Sequence, residues 1–354
     1  MTPAAGVLRM TAKPRSKLKL KKPPVLFPKT QRIIRAIAQK TGGAFLCYWN
    51  SPNGGICQND VQALYELLGG VKAKQDFYVF LKSGGGDGTA SLRIVNLLHR
   101  YANRLIALLP LECASAATMI ALGANEIRMG PLAYLTAVDT SLTHDLSPVD
   151  VHNRLVSVSQ DELNRIVSLW RQYAKSEQSS SKAEAGQNPY SALFSHVHPL
   201  VIGALDRASS LSVKLCTEIL GFHEEDRQTA EEISIQLNST YPAHNYPVIQ
   251  KEAKRIGINV TDLDADLNNM LLDLHALYSE MGQEAITDYD EQNYHNNETV
   301  NILESVGVQL YYQLDKDWHY RSEERRWVPL NDNSSWRKIQ KVQGTTVHSI
   351  VHIR

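Results

Sequence analysis

Cysteine is scarce in this 354-residue chain: Cys47, Cys57, Cys113 and Cys216 lie far apart and form no CxxC pair. Such spacing builds neither a disulfide framework nor a cysteine-based metal site, and a reducing, cytoplasmic setting is expected. Long apolar runs are missing too. None approaches the ~18 residues of a spanning helix, and the longest apolar region, Leu105 to Leu122, is broken by Glu112. The basic start continues through Pro23 and Pro24 without an apolar segment behind it, so no secretory signal is expected. No GxxxxGK[ST] phosphate loop occurs, so an unfolding motor would be a separate chain. The HxH at His196-Val197-His198 has no acidic or cysteine partner nearby and reads as a surface loop. No metal and no cofactor are expected.

Acid is absent from the start of the chain. Eleven Lys/Arg fall within residues 1–40, and the first acid is Asp60. Since Lys+Arg and Asp+Glu both total 37, the remainder is acidic by the same margin. Formal neutrality therefore speaks only against an all-over basic surface. The Lys/Arg-rich residues 9–40 leave binding of a separate protein or nucleic acid open, beside the plainer reading of a solvated tail.

What is present is alternation. Ala44–Trp49, Phe77–Leu81, Leu105–Leu109 and Glu126–Met129 read as strands. Helical patterns over Asp60–Leu68, Ala90–Tyr101 and Ala116–Gly123 lie between them. That order predicts an α/β fold with a parallel sheet built from βαβ units. The expected division is a basic arm over 1–40, a core domain over 41–281 and a C-terminal extension over 282–354. Within the core, the polar stretch at about 175–189 reads as a flexible insertion. The extension, with Trp318, Trp327, Trp336 and the closing Val347–Ile353, reads as β-rich and packs on the core or on a neighbouring subunit.

Two segments carry chemistry. Ser83-Gly84-Gly85-Gly86-Asp87-Gly88 follows a strand and opens a helix. Its glycines let backbone N–H groups approach a carbonyl and point at a developing oxyanion. In Glu112-Cys113-Ala114-Ser115-Ala116-Ala117-Thr118, a serine among alanines stands where a strand ends and a helix begins. Such a hydroxyl is either a nucleophile near free N–H groups or an ordinary helix N-cap, and the local sequence leaves both open.

The two segments together, with Gly123-Ala124-Asn125-Glu126-Ile127-Arg128-Met129-Gly130, resemble the Clp-fold serine peptidases. The pattern is most similar to the serine dehydrogenase proteinase family, relatives of signal peptide peptidase A and the Clp protease subunit. Ala243-His244-Asn245-Tyr246-Pro247-Val248-Ile249 and Glu252–Val260 continue the likeness, which covers roughly residues 44 to 280. The resemblance implies a ClpP/crotonase-like fold, a peptide or protein substrate and a homo-oligomer. It implies Ser115 as the acyl-forming nucleophile, and an oxyanion hole from the N–H of Gly85 or Gly86 with that of Ala116. In Clp protease subunits the base is a histidine about 25 residues after the serine, oriented by a later acid. Here those positions hold Asp139 and His244, so the two roles are exchanged in chain order, which a triad tolerates because it is defined by geometry. Ser115, His244 and Asp139 are the expected set. His144 and a lysine are rivals for the base, but no lysine falls between Lys82 and Lys175, leaving Lys175, Lys182 and Lys214. The chain departs from the family at Tyr134-Leu135-Thr136-Ala137-Val138-Asp139-Thr140, where S-L-G-P-I-D-P is usual, and at Gly84, where proline is usual. A catalytically silent Clp-fold scaffold is the competing reading, and acyl-CoA chemistry on the crotonase scaffold ranks behind both.

Overall fold

The computed structural model describes residues 19–139, 141–151, 154–177, 193–194 and 196–353. Residues 1–18 of the basic arm, Lys182 and most of the 175–189 insertion lie outside them.

The chain opens with α1 (Phe27–Thr41), β1 (Ala44–Asn50), α2 (Gln58–Leu68), β2 (Gln75–Lys82), α3 (Gly88–Tyr101) and β3 (Ala102–Leu109). After the short β4 (Glu112–Cys113) come α4 (Ala116–Leu122), β5 (Glu126–Met129), β6 (Tyr134–Leu135), β7 (Ser141–Leu142) and β8 (Val158–Ser159). Helices α5 (Gln160–Glu177), α6 (Pro199–Leu220), α7 (Arg227–Ser239) and α8 (Gln250–Arg255) lead to β9 (Val260–Asp262) and α9 (Ala265–Met281). Six strands close the chain: β10 (Ala285–Asp290), β11 (Asn293–Ser305), β12 (Val308–Arg321), β13 (Arg326–Asp332), β14 (Ser335–Val342) and β15 (Thr345–Val351).

As expected, the fold is α/β around a central sheet. Its order is β15-β14-β12-β11-β1-β2-β3-β5-β9, with β10 added on β11 and β13 on β12. β1, β2, β3, β5 and β9 are mutually parallel. Their apolar runs are buried on both faces because helices cover both, as parallel strands require. On one face Leu64 and Leu67 of α2, Ile94 and Leu98 of α3, the small residues of α4, and Cys216 and Ile219 of α6 form a continuous core with Leu46, Val79 and Ala107. On the other, Phe27, Ile34 and Ile37 of α1 meet Leu267, Leu271, Leu274 and Tyr278 of α9 over Phe45, Phe80 and Leu108.

The C-terminal strands continue the same sheet. β11 pairs antiparallel with β1, Leu46 opposite Ser305. Pro28 fits the first turn of helix α1, where a missing backbone N–H costs no helical bond. Among the described residues no helix is long and apolar enough to cross a membrane.

Candidate active site

The glycine-rich loop leaves β2 as a short extended segment between two neighbours. Ser83 bridges Cys113, with Ala114 N–H donating to Ser83 O at 2.9 Å, and Gly86 bridges Ile56. Ile56 N–H donates to Gly85 O at 2.8 Å, and Asp87 N–H donates to Ile56 O at 2.8 Å. Asp87 then caps α3, its carboxylate accepting from Thr89 N–H and Ala90 N–H. A side chain at Gly86, where φ is +143°, would place its Cβ 2.3 Å from Ile56 O. One at Gly85, where φ is +110°, would come within 2.7 Å of Ser115 Cβ. Glycine is required at both positions because the backbone passes so close. The two N–H groups differ: that of Gly85 donates to Ser83 Oγ at 3.1 Å, whereas that of Gly86 has no acceptor among the described residues.

Ser115 stands at the N-terminus of α4 with φ +52° and ψ −118°, and its side chain makes no capping bond. Among the described residues the other non-glycine positions with positive φ, Lys74, Arg325 and Gln343, are exposed. Ser115 is half-buried and held. Its N–H donates to Thr136 Oγ1 at 2.8 Å, and that hydroxyl donates to Ala137 O at 3.0 Å. Thr118 Oγ1, bonded to Cys113 O, accepts from Thr136 N–H at 3.2 Å, so two buried threonines pin the backbone on either side of the serine. A strained φ of this kind costs on the order of 1–3 kcal/mol and persists only where surrounding bonds over-determine it. The N–H of Ala116, like that of Gly86, has no acceptor among the described residues.

His244 and Asp139 lie 105 residues apart and meet at 2.7 Å, Nδ1 to Oδ1. The antiparallel bridge between Leu135 and Val248 brings their segments together, and the stacked rings of Tyr241 and Tyr246 brace the His244 loop. Behind Asp139, Ser212 Oγ donates to Val138 O at 2.5 Å. A carboxylate only accepts, so the imidazole carries its proton on Nδ1 and presents Nε2 as the acceptor. The hydrogen bond to Asp139 raises the imidazole above its ordinary 6.5, against the opposing effect of burial.

A cavity of about 270 Å³ collects these groups: Gly86, Ser115, Ala116, Asp139 and His244 line it, with Met119, Val138, Leu211 and Leu215 as its apolar wall. Gly85 does not line it. No hydrogen bond joins Ser115 Oγ to His244 among the described residues.

The rival bases are placed elsewhere. His144 Nδ1 accepts from Leu146 N–H at 3.1 Å within its own turn. Lys214 forms an exposed ion pair with Glu218, 3.4 Å away on the same helix. The side chain of Lys175, like Lys182, falls outside the described residues. His198 of the HxH caps α6 by accepting from Leu200 N–H at 3.2 Å. Thr136 and Thr118 are the site residues that sequence reasoning passed over. The signal for Thr136 was its place in the turn where the family that the sequence resembles usually has glycine.

No protein-family model matches the chain, and no curated protein sequence does. Solved structures share part of its course. A membrane-bound stomatin-specific protease 1510-N, as a serine-to-alanine mutant, is 14% identical over 68% of this chain and 86% of its own, with a TM-score of 0.36. A lysine-to-alanine mutant of the same protease, in complex with a substrate peptide, is 15% identical over 64% of this chain and 78% of its own, at 0.35. ClpP1 from Listeria monocytogenes is 12% identical over 69% of this chain and 99% of its own, also at 0.35. Similarities of this size assign no activity.

Proposed function

We propose that the chain is a Clp-type serine peptidase that cleaves peptide bonds through an acyl-enzyme on Ser115. One observation carries the reading: Ser115 is held on a left-handed backbone, its hydroxyl is not spent on capping, and it opens into the cavity lined by the His244–Asp139 pair. An ordinary N-cap serine would have an extended backbone and bond the first turn.

The chemistry follows from these atoms. His244 Nε2 takes the hydroxyl proton as Ser115 Oγ attacks the substrate carbonyl, and Asp139 holds the imidazole in the needed tautomer and steadies its positive charge. The N–H groups of Gly86 and Ala116 receive the oxyanion, a contribution of about 3 kcal/mol per donor. Collapse expels the amine, which takes the proton from Nε2, and water then repeats the sequence on the ester. Proton transfer requires Nε2 to come within about 2.6–3.2 Å of Ser115 Oγ, a contact that free enzymes often make only with substrate bound. The apolar wall of Met119, Val138 and Leu215 suits an apolar side chain next to the cleaved bond. The sequence resemblance adds the expectation of a homo-oligomer.

The reading is tested by turnover of a fluorogenic peptide library. Wild type should release fluorophore, and Ser115→Ala should lose that activity by a factor on the order of 10⁴ or more while its circular dichroism is unchanged. Equal turnover by the two proteins would refute it.

A further inference from the structure

A second cavity, of about 770 Å³, opens against α9 and shares no lining residue with the Ser115 cavity. Its size suits an organic ligand. Trp49, Leu111 and Leu132 give it an apolar wall at the carboxyl ends of β1 and β3.

Its polar groups fall into two ends of unlike character. At one end Lys82 is satisfied: its Nζ lies 2.9 Å from Glu112 Oε1, donates to Asn50 O at 3.0 Å and sits 5.4 Å from the Trp49 ring centroid. Beside it, Trp49 Nε1–H donates to His275 Nδ1 at 3.1 Å, which leaves the ring proton on Nε2, 3.2 Å from Ser279 Oγ. A protonated Nε2 cannot take the proton of Ser279, so this serine–histidine contact is not a second nucleophile.

At the other end Glu298 is 1% exposed. Its carboxylate accepts from Ser51 Oγ at 3.0 Å and from Asn53 Nδ2 at 3.1 Å, and the same amide donates to Glu284 Oε1 at 3.1 Å. No cationic side chain comes within ion-pair distance of Glu298 or Glu284 among the described residues. A buried carboxylate without a counter-ion is costly, and a second carboxylate beside it adds repulsion. The lining thus holds three carboxyl side chains, Glu112, Glu284 and Glu298, against one ammonium, that of Lys82, which already pairs with Glu112. No group of three or more side chains able to hold a metal ion occurs among the described residues.

We infer that this cavity binds an organic cation, whose ammonium or guanidinium head pairs with Glu298 and Glu284 while its apolar body lies along Trp49, Leu111 and Leu132. The site does not depend on Ser115. Two sources offer that chemistry: a separate amine or basic peptide side chain, and this chain's own Lys/Arg-rich start. Lys21 N–H donates to Thr287 Oγ1 at 2.9 Å, three residues beyond Glu284.

The test titrates the full chain with phenethylammonium and with agmatine, by calorimetry and by tryptophan fluorescence, against neutral phenethyl alcohol. Saturable binding of the cations that weakens with salt, and none of the alcohol, is expected. Glu298→Gln weakens it roughly tenfold or more, Glu284→Gln on its exposed side chain weakens it less, and Ser115→Ala leaves it unchanged. In a chain shortened by residues 1–18, tighter binding identifies the basic start as the resident cation, and equal binding identifies an external one. Absence of saturable binding in both chains, or undiminished binding by both glutamine variants with native melting curves, overturns the inference.

Discussion

In the parallel half of the sheet, the unusual groups gather at the carboxyl edge and face a cavity: the positive φ of Ser115, the N–H of Gly86 with no acceptor among the described residues, and the His244–Asp139 pair. In the antiparallel half, polar groups are interred. Glu304, 0% exposed on β11, accepts from Thr30 Oγ1, Gln31 Nε2, Tyr278 Oη and Gln309 Nε2, and so ties α1, α9 and β12 to one carboxylate. A half that spends strain and charge at a surface cleft is arranged for chemistry. A half that buries a carboxylate bonded from several elements fixes which strands and helices pack together. Substitutions in the first should therefore cost activity and little stability, and those in the second the reverse.

The sharpest way to break that division is Asp139→Asn. It should lower turnover on the order of 10³-fold or more by releasing the wrong imidazole tautomer, with an unchanged melting temperature. The pH profile should move as well. Asp139 holds the imidazole above 6.5, and only neutral imidazole serves as base, so wild-type activity should rise with pH through a midpoint above 6.5. In the variant, residual activity should show that midpoint shifted down toward 6.5.

Glu304→Ala should do the opposite. It strands four donors and opens a void, which should cost about 3–5 kcal/mol in chemical denaturation, while the folded fraction keeps its activity per molecule. Burial, opposed by these donors, raises the Glu304 carboxyl from 4.5 to about 7. Between those values the folded state keeps a proton that the unfolded chain has released. The contribution is therefore full below 4.5 and is lost as pH rises through about 7. Glu304→Gln should flatten that slope of stability against pH.

A smaller effect is expected at Thr136→Val. Losing the acceptor for Ser115 N–H should slow acylation roughly tenfold with substrate affinity held, and Thr136→Ser should restore the rate. Smallest of all is Lys214→Ala, whose exposed ion pair is worth at most about 1 kcal/mol. Turnover and melting temperature should both match wild type, and a loss of activity would reopen a serine–lysine site.

The two halves were also unequally legible. The parallel strands are near-continuous apolar runs, as in Phe45-Leu46-Cys47-Tyr48-Trp49, and the helices between them carry clear apolar stripes, so order and fold class could be read directly. β11 could not: Asn293-Tyr294-His295-Asn296-Asn297-Glu298-Thr299 looks like solvated chain. Its burial depends on partners in other elements, such as Asn53 and Gln313, that local pattern does not reveal. At the site, the small residues around Ser115 marked the serine. Whether Gly85 or Gly86 offers a free N–H turns on a single hydrogen bond to Ser83. The contact of His244 with Asp139 rests on the Leu135–Val248 bridge, which only tertiary structure supplies.

The central claim is that Ser115 is an activated nucleophile, and covalent labelling addresses it most directly. The folded protein, treated with a fluorophosphonate probe and mapped by peptide mass spectrometry, should carry the adduct on Ser115, and the folded Ser115→Ala protein should carry none. A wild-type protein that stays unlabelled while folded, or an adduct that persists in the variant, would contradict the account.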